Sequence, residues 1–556
     1  MVAQPHNFSL ISEAWLPYRR LSGERGWARP AEVLAASEDP VVAVAWGRAD
    51  FDGAVREFLI GLLAVAYRDV LTDCGDEVGA WRRHLQNAPA LAELDARFAV
   101  LEPAFFLGGA GARFGQDFTP LGGDPVPIAQ LLIDSPGANT LKKNQDHFVK
   151  RGRAACLGAS AAAMALFTLQ TYAPSGGQGH RTSLRGGGPL TVIAAASRAV
   201  SLWDQLAPNC VVPGATGSDD RPLDGIFPWL RETPTSEKGQ TVTPQQADPL
   251  QAYWGMPRRI RLHLADNQDG TPCALTGRVE ALCVRTYETR NYGISYVGFQ
   301  HPLSPYSFAK ASGEFLPVHG QPGRIGYRHW VGLVTASDDG ARVPSESIRL
   351  ARLRLKSSRG ATARLSAFGY DMDNMKARDF TESAMPLLVG APNVMAEADA
   401  LIREMVRGAD VGRFLLVSRV REALFGPSGP SDGSLLERLK ETYWTATEQD
   451  FLTRIDGLMD RIAATLADDG EFDDDARDAL RQTVRRDWLA ALTRQIARLF
   501  DDLVVPDDAG VLLLSDMQRR AAQRRSLRAA LAGYGKPGQD FYTALGLPAP
   551  KKQKAA

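Results

Sequence analysis

Residues 480–499 read LRQTVRRDWLAALTRQIARL, and this stretch decides the fold of the C-terminal part of the chain. Its large apolar residues recur at spacings of three and four, at Leu480, Val484, Trp488, Leu492, Ile496 and Leu499. Such spacing places them on one stripe of an α-helix, whereas a half-buried strand would alternate at every second residue. The stretch therefore predicts a long helix whose apolar stripe packs into a core.

Further helical patterns accompany this one after about residue 386, where glycine and proline become rare. We predict additional helices over residues 393–425, 435–466 and 515–533 from the same periodicity. Four such elements with short connections are typical of an antiparallel four-helix bundle. We therefore assign residues 386–550 to a C-terminal four-helix bundle.

Residues 1–385 have a different character, because short apolar runs alternate with turns that are dense in glycine and proline. Segments rich in Val, Ile and Tyr, or alternating Arg with Leu, predict strands over residues 259–264, 279–286, 292–299 and 348–356. Helices are predicted near residues 52–70 and 159–172. The fold class is therefore α+β, with a large irregular mixed N-terminal domain that carries long loops, followed by the bundle.

Composition argues against a free-standing DNA-binding protein and against a membrane protein. The 556 residues are 44% hydrophobic and 23% charged, as in ordinary soluble proteins, and 64 basic and 64 acidic residues give zero formal net charge. A free-standing DNA-binding protein usually has a basic excess, so any nucleic-acid contact must be local or shared with other subunits. We recognise no signal peptide and no apolar run of the ~20 residues that cross a bilayer, and we expect a cytoplasmic protein.

No catalytic or metal-binding motif is apparent in the sequence. The eight histidines form no His-x-His or His-Glu-x-x-His pattern, and the five cysteines form no Cys-x-x-Cys pair. No Gly-x-Ser-x-Gly turn for a nucleophile occurs. We predict a non-catalytic binding subunit without metal or cofactor. A metal-dependent nuclease with an unrecognised site and a purely structural scaffold remain alternatives.

Residues 174–189, PSGGQGHRTSLRGGGP, form a segment in which six of sixteen residues are glycine. Glycine permits positive φ and lets backbone N–H groups approach a ligand closely. His180, Arg181 and Arg185 can add the positive charge that suits a polyanion. The segment matches neither a Walker loop nor a dinucleotide fingerprint. We predict that it approaches an anion or a base-pair edge, with a plain surface turn as the alternative.

Two other segments have the composition of exposed recognition loops. Residues 136–151 are polar and basic, with Phe148 and Val149 embedded among them. Residues 368–378, FGYDMDNMKAR, place Asn374 and Met375 at a small tip between a glycine turn and basic residues. An amide can read a base edge, and an apolar side chain can wedge between base steps. An ordinary surface loop is the alternative for each segment alone.

Taken together, these segments resemble the large subunit, or CasA family, of the type I-E CRISPR surveillance complex Cascade. The similarity extends from residue 8 to the C-terminal bundle. The sequences that carry it are the opening at residues 7–17, the run 165–187, WGMP at 254–257, HPLSP at 301–305 and GYDMDNMK at 369–376.

This resemblance implies recognition of the protospacer-adjacent motif (PAM) in double-stranded target DNA from the minor groove. The residues that it implies are a glycine loop at Gly176, Gly177, Gln178 and Gly179, a basic finger at Arg290 and Asn291, a duplex-opening wedge at Asp373, Asn374, Met375 and Lys376, and a docking loop near the 5′ end of the guide at Lys142, Lys143, Asn144, Phe148 and Lys150. The chain departs from the family at Gln178, where an inner loop glycine is replaced, and at Asn374-Met375, where a glutamine–alanine tip is known.

The resemblance also implies partners. It implies guide RNA within the assembled complex, the backbone, small and guide-end-binding subunits of Cascade, and a helicase–nuclease recruited after R-loop formation. Some members of the family carry a cysteine cluster where this chain has only Cys273 and Cys283, so we predict no zinc. Five arginines of the last helix are candidates for a phosphate track, with a solvated face as the alternative: Arg519, Arg520, Arg524, Arg525 and Arg528.

Overall fold

The structure, a computed structural model, is described over residues 7–72, 76–144, 146, 151–177, 179–214, 221–355, 363–373, 375–427, 430–505 and 513–550. These residues form two compact units. The first contains the described parts of Met1–Arg324, Ala341–Leu355 and Ala361–Leu387. The second contains those of Ile325–Gly340 and Leu388–Ala556.

All strands of the described chain belong to the first unit. They are β1 Leu16–Arg20, β2 Arg25–Ala28, β3 Val41–Val44, β4 Val126–Pro127, β5 Leu157–Gly158, β6 Thr191–Ala196, β7 Arg259–Asp266, β8 Leu282–Arg290, β9 Tyr306–Ala309, β10 Glu314–Pro317, β11 Arg342–Val343, β12 Ala363–Asp373 and β13 Lys376–Leu387. They form small antiparallel sheets in the orders β2-β1-β3, β10-β9-β11, β13-β12-β6 and β4-β8-β5, with β7 also paired to β8.

Helices occur in both units. The first eleven are α1 Pro30–Leu34, α2 Ala49–Ala66, α3 Arg68–Leu71, α4 Glu77–His84, α5 Leu91–Ala99, α6 Ala138–Lys142, α7 Ala159–Tyr172, α8 Leu202–Leu206, α9 Leu223–Ile226, α10 Trp330–Leu333 and α11 Glu346–Arg354. The C-terminal ones are α12 Pro392–Phe425, α13 Gly433–Ile455, α14 Leu458–Ala463, α15 Asp474–Val504, α16 Leu514–Leu531 and α17 Gly535–Ala544. No described helix is long and apolar enough to span a membrane.

Helix α2 lies at the centre of the core of the first unit. The ring of Phe58 is fully buried and packs against five other rings at centroid distances of 5.4–5.9 Å, those of Trp15, Phe105, Phe114, Phe167 and Trp254. Each edge-to-face pair adds about 0.5–1.5 kcal/mol beyond the buried area. Helix α7 contacts α2 and is buried almost all round. Because α7 ends at Tyr172, this core sets where the glycine-rich segment 174–189 begins.

Most sequence predictions for the first unit are confirmed. The predicted helix over 159–172 is α7, and the one over 52–70 is α2 followed by the short α3. The strands over 259–264 and 279–286 correspond to β7 and β8, although β8 extends to Arg290. The predicted strand over 292–299 is wrong. That segment is irregular and makes one isolated bridge, between Tyr296 and Val242.

The predicted strand over residues 348–356 is also wrong, because its first seven residues lie in helix α11. Ser345 caps this helix by accepting a hydrogen bond from the Ile348 N–H. The alternation of arginine with leucine does not mark a solvated face here, since Arg352 and Arg354 are buried. Arg354 Nη1 instead donates to the backbone carbonyl of Cys210 at 2.6 Å.

The second unit is helical, as the apolar stripes predicted, and the α+β class is confirmed. The long helices α12, α13, α15 and α16 pack together, with α12 in contact with the other three. The stripe predicted over 435–466 is divided into α13 and α14 because Gly457 adopts φ +60°. The sequence reasoning missed α17, which packs on α12 and α16 through the buried Phe541.

Replacing Phe58 with alanine should destabilise the first unit by about 3–5 kcal/mol, because the lost ring leaves a cavity among five aromatic neighbours. Urea denaturation followed by tryptophan fluorescence measures the change. Phe118→Ala is the matched control, since Phe118 is 40% exposed and its truncation leaves no cavity. Equal losses in the two variants would contradict the assignment of Phe58 to the centre of the core.

Candidate functional site

The glycine-rich segment 174–189 is closed at its base by backbone hydrogen bonds to the end of α7. The N–H of Ser183 donates to the carbonyl of Ala173 at 3.0 Å, and the N–H of Gly188 donates to that of Tyr172 at 2.9 Å. These bonds hold the middle and the C-terminal end of the segment against residues 172–173 at the end of the helix. The glycine loop proper therefore starts from a fixed base.

Arg185 anchors this base through a buried ion pair. Its guanidinium, 2% exposed, donates to Glu57 at 2.6 Å, to Thr191 Oγ1 at 2.9 Å and to Ser304 Oγ at 3.0 Å. The hydroxyl of Tyr172 also donates to Glu57, and burial raises the pKa of this tyrosine far above its usual value. The expectation that Arg185 offers its charge to a polyanion is therefore wrong, because that charge is already neutralised inside the protein.

The two other basic residues of the segment are also engaged within the protein. Burial lowers the pKa of His180, and the neighbouring Arg258 lowers it further, so this imidazole is neutral at pH 7. Arg181 Nε donates to Ser236 Oγ at 2.8 Å. The positive charge predicted for this loop is thus reduced, because His180 is neutral and Arg181 hydrogen-bonds within the protein.

The sequence reasoning missed Arg258, which supports the glycine loop from beneath. Its guanidinium donates to the carbonyl of Pro174, and a Cβ added at Gly176 would lie only 2.7 Å from Nη1. Burial lowers the pKa of Arg258 to about 10. The one available signal was its position directly after the WGMP run at 254–257.

The glycine loop touches the residues that follow β8. The N–H of Tyr292 donates to the carbonyl of Gly179 at 2.6 Å. Gly179 has φ +76°, and an added Cβ would lie 2.7 Å from Asn291 Cβ. Arg290, the last residue of β8, is exposed and has no ion pair among the described residues. The structure thus brings the predicted glycine loop and the predicted basic finger into direct contact.

Three residues of the predicted wedge, Asp373, Met375 and Lys376, lie where strands β12 and β13 meet. Asp373 pairs with Lys376 across this turn, and both are exposed. Met375 adopts φ +65° and is 60% exposed. A large apolar side chain is therefore presented to solvent at the tip of two long paired strands.

The same hairpin is fixed to the far end of the glycine segment. A Cβ added at Gly188 would lie 2.5 Å from the carbonyl oxygen of Tyr370, so only glycine permits this approach. The N–H of Gly320 donates to the carbonyl of Gly188 at 3.0 Å. Arg378 clamps the hairpin by donating to both oxygens of Asp371, at 2.7 and 3.0 Å. One segment therefore links the finger to the wedge.

Positive φ at residues other than glycine occurs at three places in the described chain, namely Asn144, Tyr292 and Met375. The first lies in the predicted docking loop, the second follows the finger, and the third lies in the wedge. Such conformations cost about 1–3 kcal/mol each and persist only where the surroundings enforce them. Backbone strain therefore coincides with the three segments selected from the sequence.

The described residues of the predicted docking loop lie at the end of α6 and just after it. Lys142 and Lys143 are exposed at the end of α6, and Asn144 Oδ1 accepts a hydrogen bond from Arg151 at 2.8 Å. Arg151 also pairs with Asp146 at 2.6 Å. The predicted site residues outside the described residues are Gln178, Asn374, Phe148 and Lys150.

No group of three or more His, Cys, Asp or Glu residues in the described chain is arranged to hold a metal ion. Cys156, Cys273 and Cys283 are buried free thiols. Burial, together with the neighbouring Cys283, raises the pKa of Cys156 to about 11. Thiolates are the form that binds metals and attacks electrophiles, and this environment disfavours them.

The arginines of α16 are divided between two roles. Arg519 donates to the carbonyl of Ala423 at 3.1 Å, and Arg524 pairs with Asp501 at 2.8 Å. Arg520 likewise donates to a carbonyl of α15. These three residues hold helices together, whereas Arg525 and Arg528 are exposed. The predicted phosphate track is thus reduced to two candidates.

Gly179→Ala should destabilise the protein more than Gly177→Ala. Both glycines have positive φ, so each alanine costs about 1–2 kcal/mol of backbone strain. An added Cβ at Gly177 meets open space, whereas one at Gly179 meets Asn291, which adds about 1–3 kcal/mol of overpacking. Thermal denaturation compares them, and equal losses would contradict the close contact.

Arg185→Met should cost about 3–5 kcal/mol of stability, because it leaves the buried Glu57 carboxylate without its positively charged partner. Adding Glu57→Gln should restore much of this loss, since the amide is neutral and its oxygen still accepts from Tyr172 and Thr191. Denaturation of the single and double variants measures both effects. A double variant no more stable than Arg185→Met would refute the buried-charge explanation.

Comparisons with known proteins show the family and the fold of the chain. The family model described as CRISPR-associated protein Cse1 matches residues 9–501. A search of curated proteins finds no significant match.

Several solved structures share the fold. CasA (Cse1) of Thermus thermophilus superposes with a TM-score of 0.61 at 18% identity, over 95% of this chain and 100% of that chain. Cse1 of Thermobifida fusca gives 0.64 at 17% identity, over 96% and 98%. A chain of a CRISPR RNA-guided surveillance complex gives 0.62 at 17% identity, over 94% and 99%. Because the family model covers most of its length, the chain belongs to the Cse1 family of CRISPR-associated proteins.

Proposed function

We propose that this chain is the large, non-catalytic subunit of a type I-E CRISPR surveillance complex and recognises the PAM in double-stranded DNA from the minor groove. Membership of the Cse1 family supports this role, as does the shared fold with a chain of an RNA-guided surveillance complex. The site comprises the glycine loop 176–179, the finger Arg290–Asn291 and the wedge 373–376.

The proposal rests on one observation: residues 174–189 contact both the finger and the hairpin of the wedge. Gly179 contacts Asn291 and Tyr292, while Gly188 contacts the hairpin that bears Met375. The minor groove is about 6 Å wide, which suits a bare backbone and one long side chain better than a helix. Arg290 supplies that side chain and a charge attracted to the negative groove. Readout there is degenerate, so such a site selects a short, tolerant motif.

Met375 gives the site a means of opening the duplex. Inserting an apolar side chain between base steps costs a few kcal/mol per unstacked step. The guide–target heteroduplex is about as stable as the DNA it replaces, so this initial cost is not repeated along the target. The hydrogen bonds between Arg378 and Asp371 join the two strands near Met375 and would support this side chain as it inserts.

The remaining partners follow from the same role. Lys142 and Lys143 are exposed cations suited to the backbone of the guide RNA near its 5′ end. The other Cascade subunits hold that RNA, and a helicase–nuclease is recruited once the R-loop has formed. In this proposal the recruited helicase–nuclease, and not this chain, cleaves the DNA.

Arg290→Glu should weaken binding of the assembled complex to a matched duplex by about tenfold or more when the correct PAM is present. The reason is that a favourable cation in the groove becomes a repelled anion, worth at least about 1.4 kcal/mol.

Met375→Gly should slow R-loop formation on paired DNA. It should leave binding to a target with unpaired bases beside the PAM nearly unchanged. Gel-shift titration and permanganate footprinting measure the two effects.

The matched control is Arg198→Glu, which reverses an exposed charge after β6. That strand pairs with the end of β12 opposite the wedge, with Ala196 against Ala363. Wild-type complex that binds matched targets equally whatever their flanking bases would refute PAM recognition. Metal-dependent cutting by the purified chain, abolished by a single carboxylate substitution, would favour the nuclease alternative.

A further inference from the structure

A basic face lies on the antiparallel pair of strands β1 and β2. In the register of this pair, Arg19 stands opposite Arg25, and Pro17 stands opposite Trp27. Side chains two residues apart on a strand point to the same side, so these four residues share one face of the sheet. Both arginines are exposed. Two cations are therefore direct cross-strand neighbours at the surface.

This pairing of like charges is unfavourable for the chain alone. Opposite residues on one face of an antiparallel pair have Cβ atoms about 4.5–5.5 Å apart, and like charges placed there are destabilising. Arg20, the next residue along β1, pairs with Glu24 at 3.6 Å. Neither Arg19 nor Arg25 has a carboxylate partner among the described residues. An anion bound between these two side chains would remove their repulsion.

Arg278 adds a third cation to this face. Its guanidinium lies over the ring of Trp27, 4.5 Å from the ring centroid, and Nη1 donates to the carbonyl of Ala14 at 3.2 Å. The Trp27 ring is itself held edge-to-face against the buried Trp46, at a centroid distance of 5.7 Å. In the part of the chain that the structure describes, Arg278 forms no ion pair. Its position is therefore fixed while its charge stays unpaired.

The segment that carries Arg278, residues 267–281, meets the predicted docking loop. Leu275 of this segment lines a cavity of about 480 Å³ together with Leu141 and Arg151, which lie at the two ends of the docking loop. Arg153 lines the same cavity, is exposed and has no ion pair with any other described residue. The basic face is thus connected through one short segment to the docking loop.

We propose that Arg19, Arg25 and Arg278 bind the phosphodiester backbone of the guide RNA and extend the contact made by the docking loop. The identification of the ligand as guide RNA rests on the proposed function. An arginine fork matches phosphate oxygens in a bidentate manner. Arginines interleaved with an aromatic ring are typical of surfaces that bind unpaired nucleic acid, where bases stack on rings and on guanidinium planes. The ring of Trp27 therefore favours RNA over an acidic segment of a partner protein.

The first test replaces Arg19→Gln together with Arg25→Gln in the full chain. Each variant chain is titrated onto the other subunits assembled on labelled guide RNA, at several salt concentrations, and fluorescence anisotropy measures its affinity. Two lost phosphate contacts on an unpaired strand should make the slope of log affinity against log salt concentration shallower by about 1.4. Affinity at low salt should fall by about tenfold. Arg19→Lys with Arg25→Lys should keep most of the slope, because the charge is retained.

The charge-matched control is Arg198→Gln with Arg364→Gln. Both residues are exposed, Arg198 just after β6 and Arg364 within β12, so the control removes the same charge from a different sheet. Its affinity and slope should equal those of the wild-type chain. An Arg19/Arg25 glutamine variant that behaves like this control would overturn the proposal.

Charge reversal separates binding from folding. Arg25→Glu turns the like-charge pair with Arg19 into an ion pair, so the melting temperature of the chain should stay the same or rise. Association with the guide-bound subunits should nevertheless be weaker than for Arg25→Gln, because the carboxylate repels phosphate. Equal association of the two variants would contradict a phosphate ligand.

Ultraviolet cross-linking of the complete wild-type complex identifies the ligand. Label is placed first in the guide RNA and then in the target DNA, and the cross-linked peptides are sequenced. Peptides that contain Trp27 or Arg278 should carry guide RNA. Cross-links to target DNA instead would overturn the assignment. So would a loss of affinity in the glutamine variant without any nucleic-acid cross-link, since this result identifies an acidic surface of a partner subunit.

Failure of the proposed function gives a different result. If wild-type complex showed no preference for any flanking sequence, PAM recognition would be refuted, while the cross-links and the salt slope would still decide the ligand of this face. If wild-type complex selected its PAM and the Arg19/Arg25 glutamine variant kept its affinity and slope, only the present inference would be overturned. A wild-type chain that did not associate with guide-bound subunits at all would refute both.

Discussion

The buried ion pair between Arg185 and Glu57 is the constraint on which the rest of the site depends. Both side chains are 2% exposed, so neither charge has water as an alternative partner. Breaking one side would leave an uncompensated charge in the core, which typically costs 3–5 kcal/mol. Because Arg185 belongs to the glycine-rich segment and Glu57 to α2, the ion pair ties this segment to the central helix of the core. The glycine loop has no side chains with which to anchor itself, and this ion pair gives it a defined position.

This arrangement separates the groups that shape the site from those that supply charge. His180, Arg181 and Arg185 lie inside the glycine segment, yet their interactions are with the protein. Arg290, at the end of the neighbouring strand β8, is exposed and forms no ion pair with any other described residue. Such a division explains how a chain with zero formal net charge can still present a local basic surface. The net charge of the whole chain therefore does not indicate the charge of one face.

Residues 159–172 show where prediction from the sequence succeeds, and residues 348–356 show where it fails. The first segment is predominantly apolar and long enough for a buried helix, and α7 occupies it. In the second, arginine and leucine alternate as in a strand, yet Ser345 caps a helix and Arg354 points inward to backbone carbonyls. A prediction from local periodicity assumes that charged residues face water. A buried arginine with carbonyl partners breaks this assumption, and its partners are distant in the sequence.

Residues 480–499 and their neighbouring apolar stripes determined the helical C-terminal unit without tertiary information, because a helix needs only its own periodicity to define a buried face. Glycine density and the family-like motifs likewise marked the glycine loop, the finger and the wedge. Only the tertiary structure decided that Gly179 meets Asn291 and that Gly188 meets Tyr370. These contacts join residues far apart in the chain, and no local pattern encodes which distant backbone will approach a bare glycine.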